Sequence, residues 1–79
     1  MSESTKQLLS TLMVLGAQSP ERGLTIPDLA AKLRVGVREV EAELRHLLDA
    51  GYAEDVILSG TRRVYLTGTG IITASSTYS

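Results

Sequence analysis

The sequence contains no Cys, no Phe and no Trp, a single His, and only two Pro. Without Cys there is no disulfide, no thiolate zinc site and no cysteine nucleophile, which leads to the expectation of a reducing, cytoplasmic compartment. One His excludes a His-rich metal centre, and no cofactor is expected. No run approaches the roughly 18 apolar residues that a membrane span needs, and the Ser- and Glu-containing N-terminus does not read as a secretory signal. Three Tyr are the whole aromatic inventory, so platforms for stacking single-stranded bases are scarce. The core must be aliphatic.

What is present is an ordinary globular composition: 79 residues, 43% hydrophobic and 22% charged, with a net charge of −1. That length predicts one domain. The whole-molecule field attracts neither nucleic acid nor an anionic membrane, so any anion binding must be local. The deficit falls within residues 26–50, where Lys32, Arg34, Arg38 and Arg45 stand against Asp28, Glu39, Glu41, Glu43 and Asp49.

Leu8, Leu12 and Leu15, with Leu9 and Met13 beside them, predict a helix over about residues 5–17, opened by Ser4 or Thr5. Val14 lies off that stripe and widens the apolar face toward a second element or a second subunit. Ser19-Pro20-Glu21-Arg22-Gly23 predicts a loop. Thr25-Ile26-Pro27-Asp28 is a helix start, with Thr25 as N-cap, Pro in the first turn and an acid three residues after the cap. Ile26, Leu29, Ala30 and Leu33 share one face, and the helix ends near Arg34 before Val35-Gly36-Val37. A third helix runs from about Arg38 to Ala50 with Val40, Leu44, Leu47 and Leu48 on one face, and Gly51 sits at a left-handed C-terminal cap. The period then changes. Tyr52 to Leu58 and Arg62 to Thr67 predict two strands joined by Ser59-Gly60-Thr61. Ile71-Ile72-Thr73 is expected to extend as a strand or pack irregularly, within a frayed tail over residues 71–79 that also offers a short dimer or edge segment.

This order, with the Thr25-Ile26-Pro27-Asp28-Leu29-Ala30 helix start, the Leu48-Asp49-Ala50-Gly51-Tyr52 step and Arg62-Arg63-Val64-Tyr65-Leu66-Thr67 followed by Gly70, resembles winged helix-turn-helix domains of the MarR-like and ArsR-like regulators. The resemblance implies an α+β fold in residues 1–70, a three-helix core with a C-terminal β-hairpin wing. It also implies that the third helix enters the major groove of duplex DNA while the wing touches backbone or minor groove.

At 100° per residue, the polar side of the third helix presents Arg38, Ala42, Arg45 and Asp49, with His46 and Glu39 on one shoulder and Glu41 on the other. Arg38 and Arg45 are candidates for base edges or phosphates, since a guanidinium addresses a guanine edge bidentately; His46 adds a further contact. The same charges also suit a solvated helix face, with Glu41 and Arg45 at pairing distance i, i+4. Arg62 and Arg63 are strand neighbours that point to opposite faces, so one shares the core side and the other projects to solvent or DNA, unless both curl outward at the hairpin tip; a basic tip suits minor-groove or phosphate contact and equally edge-strand protection. Tyr52 and Tyr65 are expected in the core with wet hydroxyls.

Nothing marks a nucleophile elbow or a phosphate loop, so no enzyme is expected. The leading function is a transcription regulator that binds double-stranded DNA as a homodimer, through the wide face of the first helix with Val14 or through Ile71 and Ile72. The alternative is a protein-docking module within a larger complex, favoured by the acidic third helix. RNA binding is less well supported for want of stacking aromatics.

Overall fold

A computed structural model of the chain describes residues 1–78. Helix α1 spans Glu3–Val14. Its N-cap is Ser2, whose hydroxyl accepts the Thr5 amide at 3.2 Å, two residues before the earliest cap expected from the sequence. It stops short of residue 17 because Gly16 adopts φ +75°. The Gly16 and Ala17 amides then fold back onto the Met13 and Leu12 carbonyls at 3.1 and 2.9 Å, the paired bonds of a Schellman ending.

The loop predicted over residues 19–23 contains a short 3-10 turn, Pro20–Arg22. Helix α2 is Ile26–Leu33, and Thr25 caps it as expected, accepting the Asp28 amide at 3.2 Å. The reciprocal Asp28 side-chain bond is not formed. Arg34 takes the left-handed conformation at φ 58° and turns the chain into helix α3, Val37–Asp49. Gly51, at φ +77°, ends α3 as the sequence predicts.

Strands β1 (Ala53–Leu58) and β2 (Thr61–Leu66) form an antiparallel hairpin. Its loop is Ser59-Gly60 alone, both residues at positive φ, 52° and 77°, which is the mirror-image turn that matches strand twist. Leu58 therefore pairs with Thr61 and Ile57 with Arg62, a register one residue tighter than a three-residue turn allows. Leu24 adds a lateral bridge to β2: Leu24 and Val64 exchange amide-carbonyl bonds of 2.9 and 2.8 Å.

The C-terminal segment departs most from the sequence reading. Residues 71–76 are neither strand nor irregular tail; Gly68–Tyr78 is a helix, α4, which crosses the expected boundary at residue 70. Ser79, part of the expected tail, lies outside the described residues. The local reason is Thr67. Its hydroxyl accepts the Gly70 amide at 3.0 Å and its carbonyl accepts the Ile71 amide at 2.9 Å, the bonds of an N-cap. Ala74 is fully buried and Ile71 packs against the core, so packing recruits a stretch of weak helix formers.

The four helices and the hairpin enclose one aliphatic cluster. Leu8, Leu9 and Leu12 of α1 meet Leu29 of α2, Leu44 and Leu47 of α3, and Val64 and Leu66 of β2, all of them buried. Each such Leu contributes about 1.5–3 kcal/mol on burial.

Candidate nucleic-acid interface

Burial of Val40, Leu44 and Leu47 fixes the rotation of α3 about its axis, and with it the direction of the polar face. The same logic fixes the hairpin. Ala53, Val64 and Leu66 are buried, so their face of the sheet turns inward, and alternation with the observed register puts Asp55, Ile57 and Arg62 on that face beyond the end of the core. Arg62 thereby joins α3. Arg38, Glu41, Ala42, Arg45 and Arg62 line one open cleft, floored by Leu44 and Leu48.

Within this cleft three guanidinium groups face a single carboxylate. Arg62 is oriented by Asp55, its Nε donating to Oδ2 at 2.8 Å across the diagonal of the hairpin. Arg38 and Arg45 are exposed and make no hydrogen bond or ion pair among the described residues. The i, i+4 pair expected between Glu41 and Arg45 is not formed: among the described residues the ion pairs are Lys6–Glu3 and Arg62–Asp55. An exposed pair of this kind gains too little to hold two long side chains in one geometry, and Arg45 stays available.

The acidic character of α3 divides by position. Glu43 accepts a short hydrogen bond from the buried Thr5 hydroxyl of α1, and Glu39 lines a separate cleft with Glu43, Gln7 and Val35. Two of the three Glu thus face the α1 side. Only Glu41 shares the arginine cleft.

The remaining sequence candidates are placed elsewhere. His46 is exposed in another cleft, with Ser2, Thr5 and Tyr52. Arg63 points to the opposite side of β2 from Arg62 and donates from Nη1 to the Gly23 carbonyl at 3.0 Å, so it fastens the hairpin to the loop before α2. Tyr65 shares that outer face instead of entering the core. Its hydroxyl donates to Glu54 at 2.8 Å, and this hydrogen bond, then partial desolvation and the Glu54 charge, raises the phenol above its ordinary value. Asp55, which sequence reasoning passed over, is the residue that orients Arg62; the two-residue Ser59-Gly60 loop was the signal for it, because that loop length sets the diagonal.

No family model matches the sequence, and no curated protein matches it. Among solved structures, MepR of Staphylococcus aureus, described as a transcription regulator of the multidrug efflux pump MepA, superposes with a TM-score of 0.85 at 21% identity, covering 96% of this chain and 54% of that one. The fold is a winged helix-turn-helix. MepR in a DNA complex gives the same TM-score, 0.85, over 99% of this chain. FabT of Streptococcus pneumoniae in complex with DNA gives 0.80 at 18% identity over 99% of this chain and 52% of that one. This winged helix thus spans about half the length of MepR and FabT. A protein of Ralstonia eutropha JMP134 matches end to end, with 100% and 99% coverage, a TM-score of 0.84 and 19% identity. In winged-helix terms α2 and α3 are the helix-turn-helix and β1–β2 is the wing.

Proposed function

We propose that the protein is a cytoplasmic DNA-binding transcription regulator that acts by binding and not by catalysis, inserting α3 into the major groove while Arg62 of the wing reaches backbone or minor groove. The observation that carries this reading is the convergence of Arg38, Arg45 and Arg62 on one cleft from which Glu39 and Glu43 are turned away. Arg38 and Arg45 are two helical turns apart, about 10.5 Å along α3, a span of about three base steps. The similar folds MepR and FabT are each described in complex with DNA, which supports DNA as the ligand.

Fluorescence anisotropy with a labelled duplex tests it. Binding is expected at low salt, with the logarithm of the affinity falling by about 0.9 per logarithm of salt for each phosphate neutralised. A flat salt titration, together with one stoichiometric protein partner in a pull-down, would instead favour the docking module.

The active form is a homodimer, since two copies reading half-sites about one helical turn apart combine weak individual affinities. Val14 on α1 and Ile72 on α4 are 68% and 69% exposed, large apolar groups on two helices packed together; Ile71, the other residue expected at this surface, faces the core. Sedimentation should give twice the 8.5 kDa chain mass, and Val14→Glu with Ile72→Glu should give the monomer with its circular dichroism unchanged. A wild-type chain that sediments as a monomer up to high micromolar concentration removes the dimer.

A further inference from the structure

Glu41 stands in the arginine cleft with nothing to hold it there. It is exposed, makes no hydrogen bond or ion pair among the described residues, and lies between Arg38 and Arg45 beside Ala42. The other two Glu of α3 are accounted for on the α1 side. A carboxylate in this place opposes the general attraction of the cleft for phosphate. It does so at the position on α3 that faces base edges if the cleft takes a duplex, because the N-terminal half of a recognition helix contacts the bases.

An ionised carboxylate only accepts hydrogen bonds. In the major groove guanine offers N7 and O6, both acceptors, and thymine offers O4, an acceptor, with its methyl. Each of these leaves Glu41 desolvated and repelled. Adenine offers an N6 donor beside the N7 acceptor, so half of its edge is again repulsive. Cytosine presents its N4 amino donor beside only a C–H of its own ring, the one neighbouring acceptor being O6 of the paired guanine, whereas adenine N6 stands between two acceptors, its own N7 and O4 of the paired thymine.

We infer that Glu41 is a specificity-determining residue that selects a cytosine at one position of the half-site, between the base pairs addressed by Arg38 and Arg45. The inference rests on the DNA-binding reading of this cleft. Glu41 acts chiefly by exclusion: it weakens binding to every sequence and is compensated only where N4 of cytosine meets it. The neighbouring Ala42 adds only a methyl-sized contact, so it does not substitute for this discrimination.

The test is selection of bound duplexes from a random-sequence library by the full chain, followed by sequencing, for the wild type, Glu41→Gln and Glu41→Ala. The wild type should prefer cytosine at one position by on the order of tenfold or more over the other bases. Glu41→Gln should move that preference to adenine, whose N6 and N7 suit an amide, and Glu41→Ala should flatten that position alone. Because Glu41 makes no side-chain hydrogen bond or ion pair among the described residues, both variants should keep the wild-type melting temperature. A selected motif that is identical in all three proteins, or one with no cytosine-preferring position, overturns the inference while leaving DNA binding intact. Failure of the wild type to retain any duplex at low salt overturns the DNA reading itself, and the role of Glu41 with it.

Discussion

Gly70→Ala should lower the melting temperature by about 12 °C or more, corresponding to roughly 3 kcal/mol at 4–8 °C per kcal/mol in a domain of this size. Two effects oppose each other. Ala is the better helix former by about 0.8–1.0 kcal/mol, and Gly70 lies in the first turn of α4, so propensity alone predicts stabilisation. Against it, a Cβ at this position would meet the Tyr52 carbonyl oxygen at 1.8 Å and its carbon at 2.8 Å. Neither is the movable end of a side chain. The same carbonyl accepts the Thr67 amide at 3.0 Å, and the Thr67 hydroxyl donates to the Gly51 carbonyl at 2.6 Å, so moving α4 away breaks the junction between the end of α3 and the start of α4. Steric exclusion wins. Gly68→Ala is the control, since nothing lies within 4 Å of its Cβ position; it should be neutral or raise stability by up to about 1 kcal/mol. Thermal unfolding followed by circular dichroism reads both. A Gly70→Ala protein as stable as the wild type would show that the close approach to Tyr52 is absent.

Replacing Arg38, Arg45 and Arg62 together with Ala should weaken duplex binding by at least about 100-fold and flatten its salt dependence. Each arginine contributes about 1–3 kcal/mol at a base edge, or about 0.9 of salt slope at a phosphate. The three are exposed, and among the described residues only Arg62 has a side-chain partner, Asp55, so the fold should be unaffected. Arg63→Ala separates binding from structure. It should leave affinity within about threefold, but lower stability by about 0.5–1.5 kcal/mol, because the Gly23 carbonyl loses its partner. Equal loss of binding from Arg63→Ala and Arg62→Ala would mean that the strand alternation separating the two side chains does not hold in the complex.

Much of the fold was legible because its signals were local. The Thr25 cap, the Gly51 ending and the stripe Val40, Leu44, Leu47 each depend on residues within a turn or two, and each stands in the structure as the sequence predicts. Helix α4 was not legible, since Gly68, Gly70 and a run of Thr and Ser are poor helix formers; it exists because Ala74 and Ile71 find the core and Thr67 caps it. For the candidate site, helical periodicity places Arg38, Ala42 and Arg45 on one face, and the structure brings them together. Strand alternation already sets Arg62 and Arg63 on opposite faces. Which of the two joins α3 needs the register, which turns on whether the loop is two residues or three, because a one-residue difference reverses every side chain. His46 followed the same wheel to the edge of the polar face, where a few tens of degrees decide between two clefts.

The bridge between Leu24 and Val64, with the Leu66 amide bound to the Ala17 carbonyl at 2.7 Å, has a kinetic consequence. These amides are tied to segments more than 35 residues away in sequence, so their hydrogen exchange is governed by global unfolding, whereas amides around Ser59 and Gly60 exchange through local fraying. Flexure of the hairpin thereby falls to the three residue pairs beyond Val64, namely Val56–Arg63, Ile57–Arg62 and Leu58–Thr61. Arg62 belongs to those pairs, two residues beyond Val64, so the wing tip adjusts its reach toward a duplex while the base of the hairpin stays fixed to the core.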